Sequence, residues 1–239
     1  MNALHLVSLP LALGPLRRWA ATRGFGADEG VALHHLLSET FGKGAMQPFR
    51  MMPAPKATSA TLYAYARADE ACLRQTAREC AMPDALAVCN LDGLATKPMP
   101  ETWRKGRRLA FDLRVRPTKR LLKPAGVFAK GAEIDAYLVE ALRLHPDGRP
   151  DENPVERETV YRNWLAERLG AAANLEEARM IRFERRPITR GKTSREGPDV
   201  IWHGELTVQD GDAFATRLGS GVGRHAAFGY GMLLLRPAR

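Results

Sequence analysis

The clearest pattern in the chain lies at residues 107–116, where Leu109, Phe111, Leu113 and Val115 alternate with Ala110, Asp112, Arg114 and Arg116. A period of two puts the apolar set on one face of a half-buried strand. Upstream, residues 3–9 read as a short apolar strand that Pro10 and Gly14-Pro15 end, and 16–21 as a brief helical turn with Trp19 inward. Residues 28–40 read as a helix, with Asp28 as an N-cap or first-turn acid and Gly42 as the stop. Strands follow at 49–52 and 60–66, parted by Pro53 and Pro55. Then comes a helix at 69–80 through Ala71, Leu73, Ala77 and Cys80, with 85–91 as an extra strand candidate. Strand, helix, strand, strand, helix, strand is the ferredoxin-like order, with 107–116 as its last strand.

The order recurs downstream. A short strand at 117–122 leads to a helical region at 133–144, a loop at 145–148 and a helix at 155–169. Strands at 175–186 and 200–208 are joined by a long basic hairpin, and a helix at 212–218 precedes a last strand at 230–235. The expected fold is α+β: two tandem ferredoxin-like (βαββαβ) domains, 1–121 and 122–239, the second carrying the basic β-hairpin. The repeat is one of topology, not of sequence.

Composition narrows the partners. The chain has 239 residues, 45% hydrophobic and 26% charged, as in an ordinary globular protein, but its formal net charge is +9. An excess of cations makes an acidic partner, above all nucleic acid, the default. The excess is clustered in runs at 103–108, 114–123 and 179–195. Cys72, Cys80 and Cys89 form no Cys-x-x-Cys pair, and no paired histidines stand at metal-ligand spacing, which reads as reduced thiols in a cytoplasmic protein without zinc. No run of about 18 apolar residues points to a membrane.

Two stretches carry candidate chemistry. On the helix at 28–40 the apolar stripe centres on Leu33; at about 100° per residue, His34 falls on its shoulder and His35 on the solvent side. His34 can thus face a cleft, and an imidazole can exchange a proton at neutral pH. No carboxylate cluster stands at metal-site spacing, so a metal-free route is favoured. The second stretch is the tail, where Gly219, Gly221, Gly223, Gly229 and Gly231 surround Arg224-His225. Such a loop can bring successive N–H groups to a phosphate, and it lacks the ending of a nucleotide P-loop. The same glycines also suit a final strand packed tightly against a helix. Trp103, Trp164 and Trp202 read as core residues.

These residues together resemble a family. Leu33-His34, Leu36-Leu37 and Phe41, then 113–120, then Glu184-Arg185-Arg186-Pro187, then Gly221-Val222-Gly223-Arg224 and 228–234 resemble the CasE-type CRISPR repeat-processing endoribonucleases of type I-E systems, in the RAMP superfamily. The resemblance runs over nearly the whole chain, and the terminal glycine motif is its most specific part. It implies a metal-independent ribonuclease that cuts CRISPR repeat RNA at the base of a stem-loop, by 2′-hydroxyl attack giving a 2′,3′-cyclic phosphate. The enzyme would then stay on the product as a subunit of the surveillance complex. His34 matches the catalytic histidine. Two positions depart from the family pattern: Val31 stands where some members have a catalytic tyrosine, and Ala226 where many have a lysine.

The expected RNA contacts are Arg114, Arg116, Lys119 and Arg120; Arg185, Arg186, Arg190, Lys192 and Arg195 on the hairpin; and Gly221, Gly223, Arg224 and His225 in the tail. Arg114 and Arg116 share a strand face, and the hairpin cations outnumber Glu184 and Glu196, so phosphate contacts near a stem end are expected. A non-catalytic RNA-binding subunit of the same fold is the alternative, motivated by Val31 and Ala226. A small-molecule enzyme that holds a phosphate in the glycine loop would leave the basic hairpin without a role.

Overall fold

The computed structural model describes residues 3–26, 28–53, 56–145, 156–190 and 193–238, with the side chains of 188–190 and 193–195 left aside. Strand β1 (His5–Ala12) runs through Pro10 to Ala12 rather than stopping there. Proline is tolerated because its edge partner β4 (Ala95–Pro98) pairs only with His5 to Ser8. Helices α1 (Leu13–Thr22) and α2 (Glu29–Phe41) follow. Next are β2 (Phe49–Pro53), β3 (Ser59–Ala66), α3 (Glu70–Cys80) and the short α4 (Pro83–Leu86), which lies where an extra strand was expected. The first sheet has the order β2-β3-β1-β4, all antiparallel. One face of it, Val7, Leu9, Leu11, Leu62 and Ala64, buries against Leu16, Trp19, Leu33, Leu36, Leu37, Leu73 and Ala77 of the helices.

The strand at 107–116 keeps its alternation but belongs elsewhere. As β5 (Arg108–Val115) it pairs with the second sheet, so the sheets divide between β4 and β5, upstream of the boundary expected at 121. Pattern fixes which face a strand buries, not which sheet it joins. The second unit continues with β6 (Thr118–Arg120) and β7 (Glu133–Asp135), a two-stranded ribbon, then α5 (Ala136–Leu144) and α6 (Arg157–Leu169). The long arms β8 (Ala173–Arg190) and β9 (Thr193–Val208) follow, then α7 (Gly211–Ser220) and β10 (Leu233–Pro237). Its sheet order, β10-β5-β9-β8, repeats the first with two long arms. Phe111, Leu113, Trp202 and Leu206 meet Trp164, Leu165, Leu169, Phe214 and Leu218 in the second core. Trp103, Trp164 and Trp202 are all buried, as expected.

The two units are joined as well as consecutive. Tyr65 of β3 packs into the second core and donates its hydroxyl hydrogen to the carbonyl of Leu233 at 2.8 Å. Arg50 of β2 pairs with Asp112 of β5. Cys72, Cys80 and Cys89 are free, the last buried. No helix among the described residues is long and apolar enough to cross a membrane.

Candidate nucleic-acid interface and active site

Helix α2 starts where a carboxylate can cap it: Asp28 accepts the Val31 N–H at 3.1 Å, and Gly42 ends the helix at φ 91°. Ala32, Leu33, Leu36 and Leu37 fill the core side. That rotation leaves His34 half-buried at the edge of the stripe and His35 exposed, stacked on Phe25 at 4.4 Å. The ring of His34 lies 5.1 Å from that of Phe228, in the glycine-rich tail. Gly30 makes the approach possible: a Cβ there would lie 2.6 Å from the carbonyl oxygen of Phe228. His34 also borders a narrow cleft with Ser38, Gly42, Gly44 and Gln47. Burial first, then the charges of His35 and Lys43, lower its pKa below 6.5, so the ring is neutral at pH 7.

The tail is packed rather than open. Gly221 is buried, with Pro48 and Gly231 close to where its side chain would be, and Gly223, at φ 82°, lies so near Trp164 that a Cβ would be 2.7 Å from the ring. Tight packing, the second reading of these glycines, accounts for Gly221 and Gly223, and the Gly221 N–H is already bonded to the Arg217 carbonyl at 2.8 Å. Arg224 is exposed and pairs with Glu133 at 3.2 Å. His225, expected on the RNA, is internal: its side chain is 3% exposed and its Nε2 lies 2.6 Å from Glu133 Oε1. Thr118 donates to the same carboxylate at 2.9 Å. The His225 hydrogen bond, opposed by burial and joined by the charges of His225 and Arg224 and by the Thr118 bond, holds the Glu133 pKa down at about 2.

Arg114 and Arg116 also turn inward. Arg114 makes a two-point pair with Asp199, at 2.9 and 2.6 Å, and stacks over Tyr230 at 4.6 Å. Arg116 is 2% exposed and donates to the Arg186 carbonyl at 3.0 Å. The fully buried acid that β9 supplies holds Arg114 in the fold, and Arg116 is held by the Arg186 carbonyl and the Tyr230 hydroxyl. Burial alone would raise the Asp199 pKa, but the Arg114 hydrogen bonds and the charges of Arg114, Arg182 and Arg186 overcome it and hold it low.

The cations that do reach the surface lie on the hairpin and the β6–β7 ribbon. Arg185 is half-exposed and pairs at 3.5 Å with Glu196, and Arg186 reaches Glu184 at 2.9 Å and Asp199 at 3.3 Å. Lys119 lies 3.4 Å from Glu167, and Arg120 donates to the Gly131 carbonyl at 3.2 Å while remaining exposed. Lys192 and the side chains of Arg190 and Arg195 lie outside the described residues. Arg186, Pro187, Arg114, Tyr230 and Phe228 line one hollow with Asp28, Glu29 and Gly30, so the hairpin root and the start of α2 share a surface. Gly30 and Glu133 carried no assignment in the sequence; a glycine in the first turn of an otherwise good helix was the available signal for Gly30.

The CRISPR associated protein family model matches residues 10–237. Among solved structures, Thermus thermophilus Cse3 bound to an RNA representing a pre-cleavage complex is 20% identical with a TM-score of 0.65, over 98% of this chain and 100% of that one. Cas6e from Escherichia coli is also 20% identical, with a TM-score of 0.60 over the same shares. A subunit of a CRISPR RNA-guided surveillance complex is 16% identical, with a TM-score of 0.54 over 98% of this chain and 100% of that one. At these identities the likeness is one of fold, two tandem ferredoxin-like units. No curated protein is significantly similar in sequence.

Proposed function

The chain belongs to the CRISPR associated protein family, and from that premise we propose that it is an endoribonuclease that cuts CRISPR precursor RNA in the repeat, at the base of a stem-loop. Cleavage needs no metal. The enzyme stays on the RNA as a subunit of a type I-E surveillance complex in the cytoplasm. The observation that carries this reading is the juxtaposition of a half-buried, neutral His34 with Phe228, beside a hollow that Arg186 shares. The RNA-bound Cse3, Cas6e and the surveillance complex among the fold neighbours support it.

His34 takes the proton of the 2′-hydroxyl as the hydroxyl oxygen attacks the adjacent phosphorus; the bond to the 5′-oxygen breaks, that oxygen takes a proton from water, His34 gives its proton back to solvent, and a 2′,3′-cyclic phosphate remains. A lowered pKa suits the base, because the neutral form then dominates at pH 7. Arg185, Arg186 and Lys119 hold phosphates of the stem, a role that carries no sequence information. The reading is tested by incubating the protein with a stem-loop repeat RNA in excess chelator. A single cut ending in a cyclic phosphate, blocked by a 2′-deoxy group at the attacking position, is expected. A strict need for magnesium overturns the metal-free route.

A second reading, an RNA-binding subunit without catalysis, is favoured by one observation: Val31, one turn before His34, carries no proton-transfer group. Binding of the repeat RNA without product supports it.

A further inference from the structure

A cavity of about 600 Å³ beside the tail has no part in the cleavage step above. Its walls are Arg116, Thr118 and Arg120, the 129–132 segment, β7, the arm of β9 at Glu196 and Gly197, and Arg224 with His225. Three observations mark it as built for a ligand. His225 is held at φ 69°, a left-handed conformation that is uncommon outside glycine. Among the described residues, the buried nitrogens His225 Nδ1 and Arg116 Nε on this wall make no hydrogen bond. Exposed Arg120, Lys130 and Arg224 stand at its rim, whereas Glu133 is already bonded to His225, Arg224 and Thr118.

We infer that this cavity receives the first unpaired nucleotide on the 3′ side of the scissile phosphate, with the next phosphate along, on that nucleotide's 3′ side, facing Arg120, Lys130 and Arg224. The inference rests on the nuclease reading and deepens it. A two-stranded stem does not fit a pocket of about 600 Å³, whereas the strand that continues past a cut at the stem base is single. The pocket also adjoins the chemistry. The ring of Phe228 lies 5.1 Å from that of His34 and 6.4 Å from that of His225, which lines the pocket, so the two are within one or two nucleotides of extended strand. The pocket therefore holds the departing side of the cut, and its contacts are lost with the leaving fragment. It favours precursor over product, so it helps capture the substrate without strengthening retention.

The test uses the full chain and two RNAs, each 2′-deoxy at the attacking position: one ends at the cut, the other runs several nucleotides past it. Lys130→Ala, and separately Arg120→Ala, are compared with wild type, with thermal melts showing that each variant folds. Loss of a phosphate contact predicts about tenfold weaker binding of the extended RNA, with a shallower salt dependence. Binding of the RNA that ends at the cut stays unchanged. Equal weakening on both RNAs, no weakening on either, or wild-type protein that binds the two RNAs alike overturns the pocket. The nuclease reading is scored separately, from wild-type protein and uncapped repeat RNA; wild type that neither binds nor cuts removes both.

Discussion

Arg114 and Arg186 lie on strands of one sheet, touch the same carboxylate of Asp199 and line the same hollow, yet they do different work. Arg114 is bound at two points by an acid with no exposure at all; Arg186 shares that acid from the rim and keeps 42% of its side chain in water. The first is part of the fold, the second is available to a partner. A basic run is thus two populations, sorted by whether a buried acid faces the strand position. Counting arginines against nearby Glu184 and Glu196 overlooks Asp199, the acid that decides it.

Breaking the internal pair has the largest expected effect. Asp199→Ala strands buried cations, at a cost of about 3–5 kcal/mol, read as a lower midpoint in denaturant. A well-folded Asp199→Ala protein would place Arg114 among the surface cations and dissolve the comparison. Glu133→Ala, which releases His225, Arg224 and Thr118 together, costs about 2 kcal/mol by the same measurement. The pH dependence sharpens this. Both acids have depressed pKa values in the fold, so the stability they contribute is complete above the ordinary carboxylate range. That contribution falls away as pH drops, for Glu133 through about 2. A Glu133→Gln variant is expected to lose less stability than wild type between about pH 5 and pH 2. At the other extreme, Arg185→Ala shifts stability by no more than about 0.5 kcal/mol but lowers the salt slope of RNA binding by about 1. An unchanged salt slope would take Arg185 out of the interface.

Much of this was legible in the chain. The alternation at 109–115 is a strand with the expected inner face, and Asp28, Asp69 and Asp210 each cap a helix that pattern alone locates. The placement of His34 on the shoulder of α2 followed from 3.6-residue geometry and holds. What pattern does not carry is long-range pairing. Nothing local tells β5 to join β9 and β10, or tells Arg114 that Asp199, far along the chain, will lie across from it. The glycine tail left two readings open for the same reason: the crowding at Gly221 and Gly223 comes from Pro48 and Trp164, which lie far away along the chain.

The central claim is that one imidazole on α2 does the proton transfer at the cut. Its most direct test is single-turnover cleavage of a stem-loop repeat RNA by wild type and His34→Ala, with binding measured alongside. The account predicts a rate loss of about 10² to 10⁴ with affinity nearly intact, and in wild type a kcat/KM that rises with pH along a limb below 6.5. Cleavage by His34→Ala at the wild-type rate would contradict it.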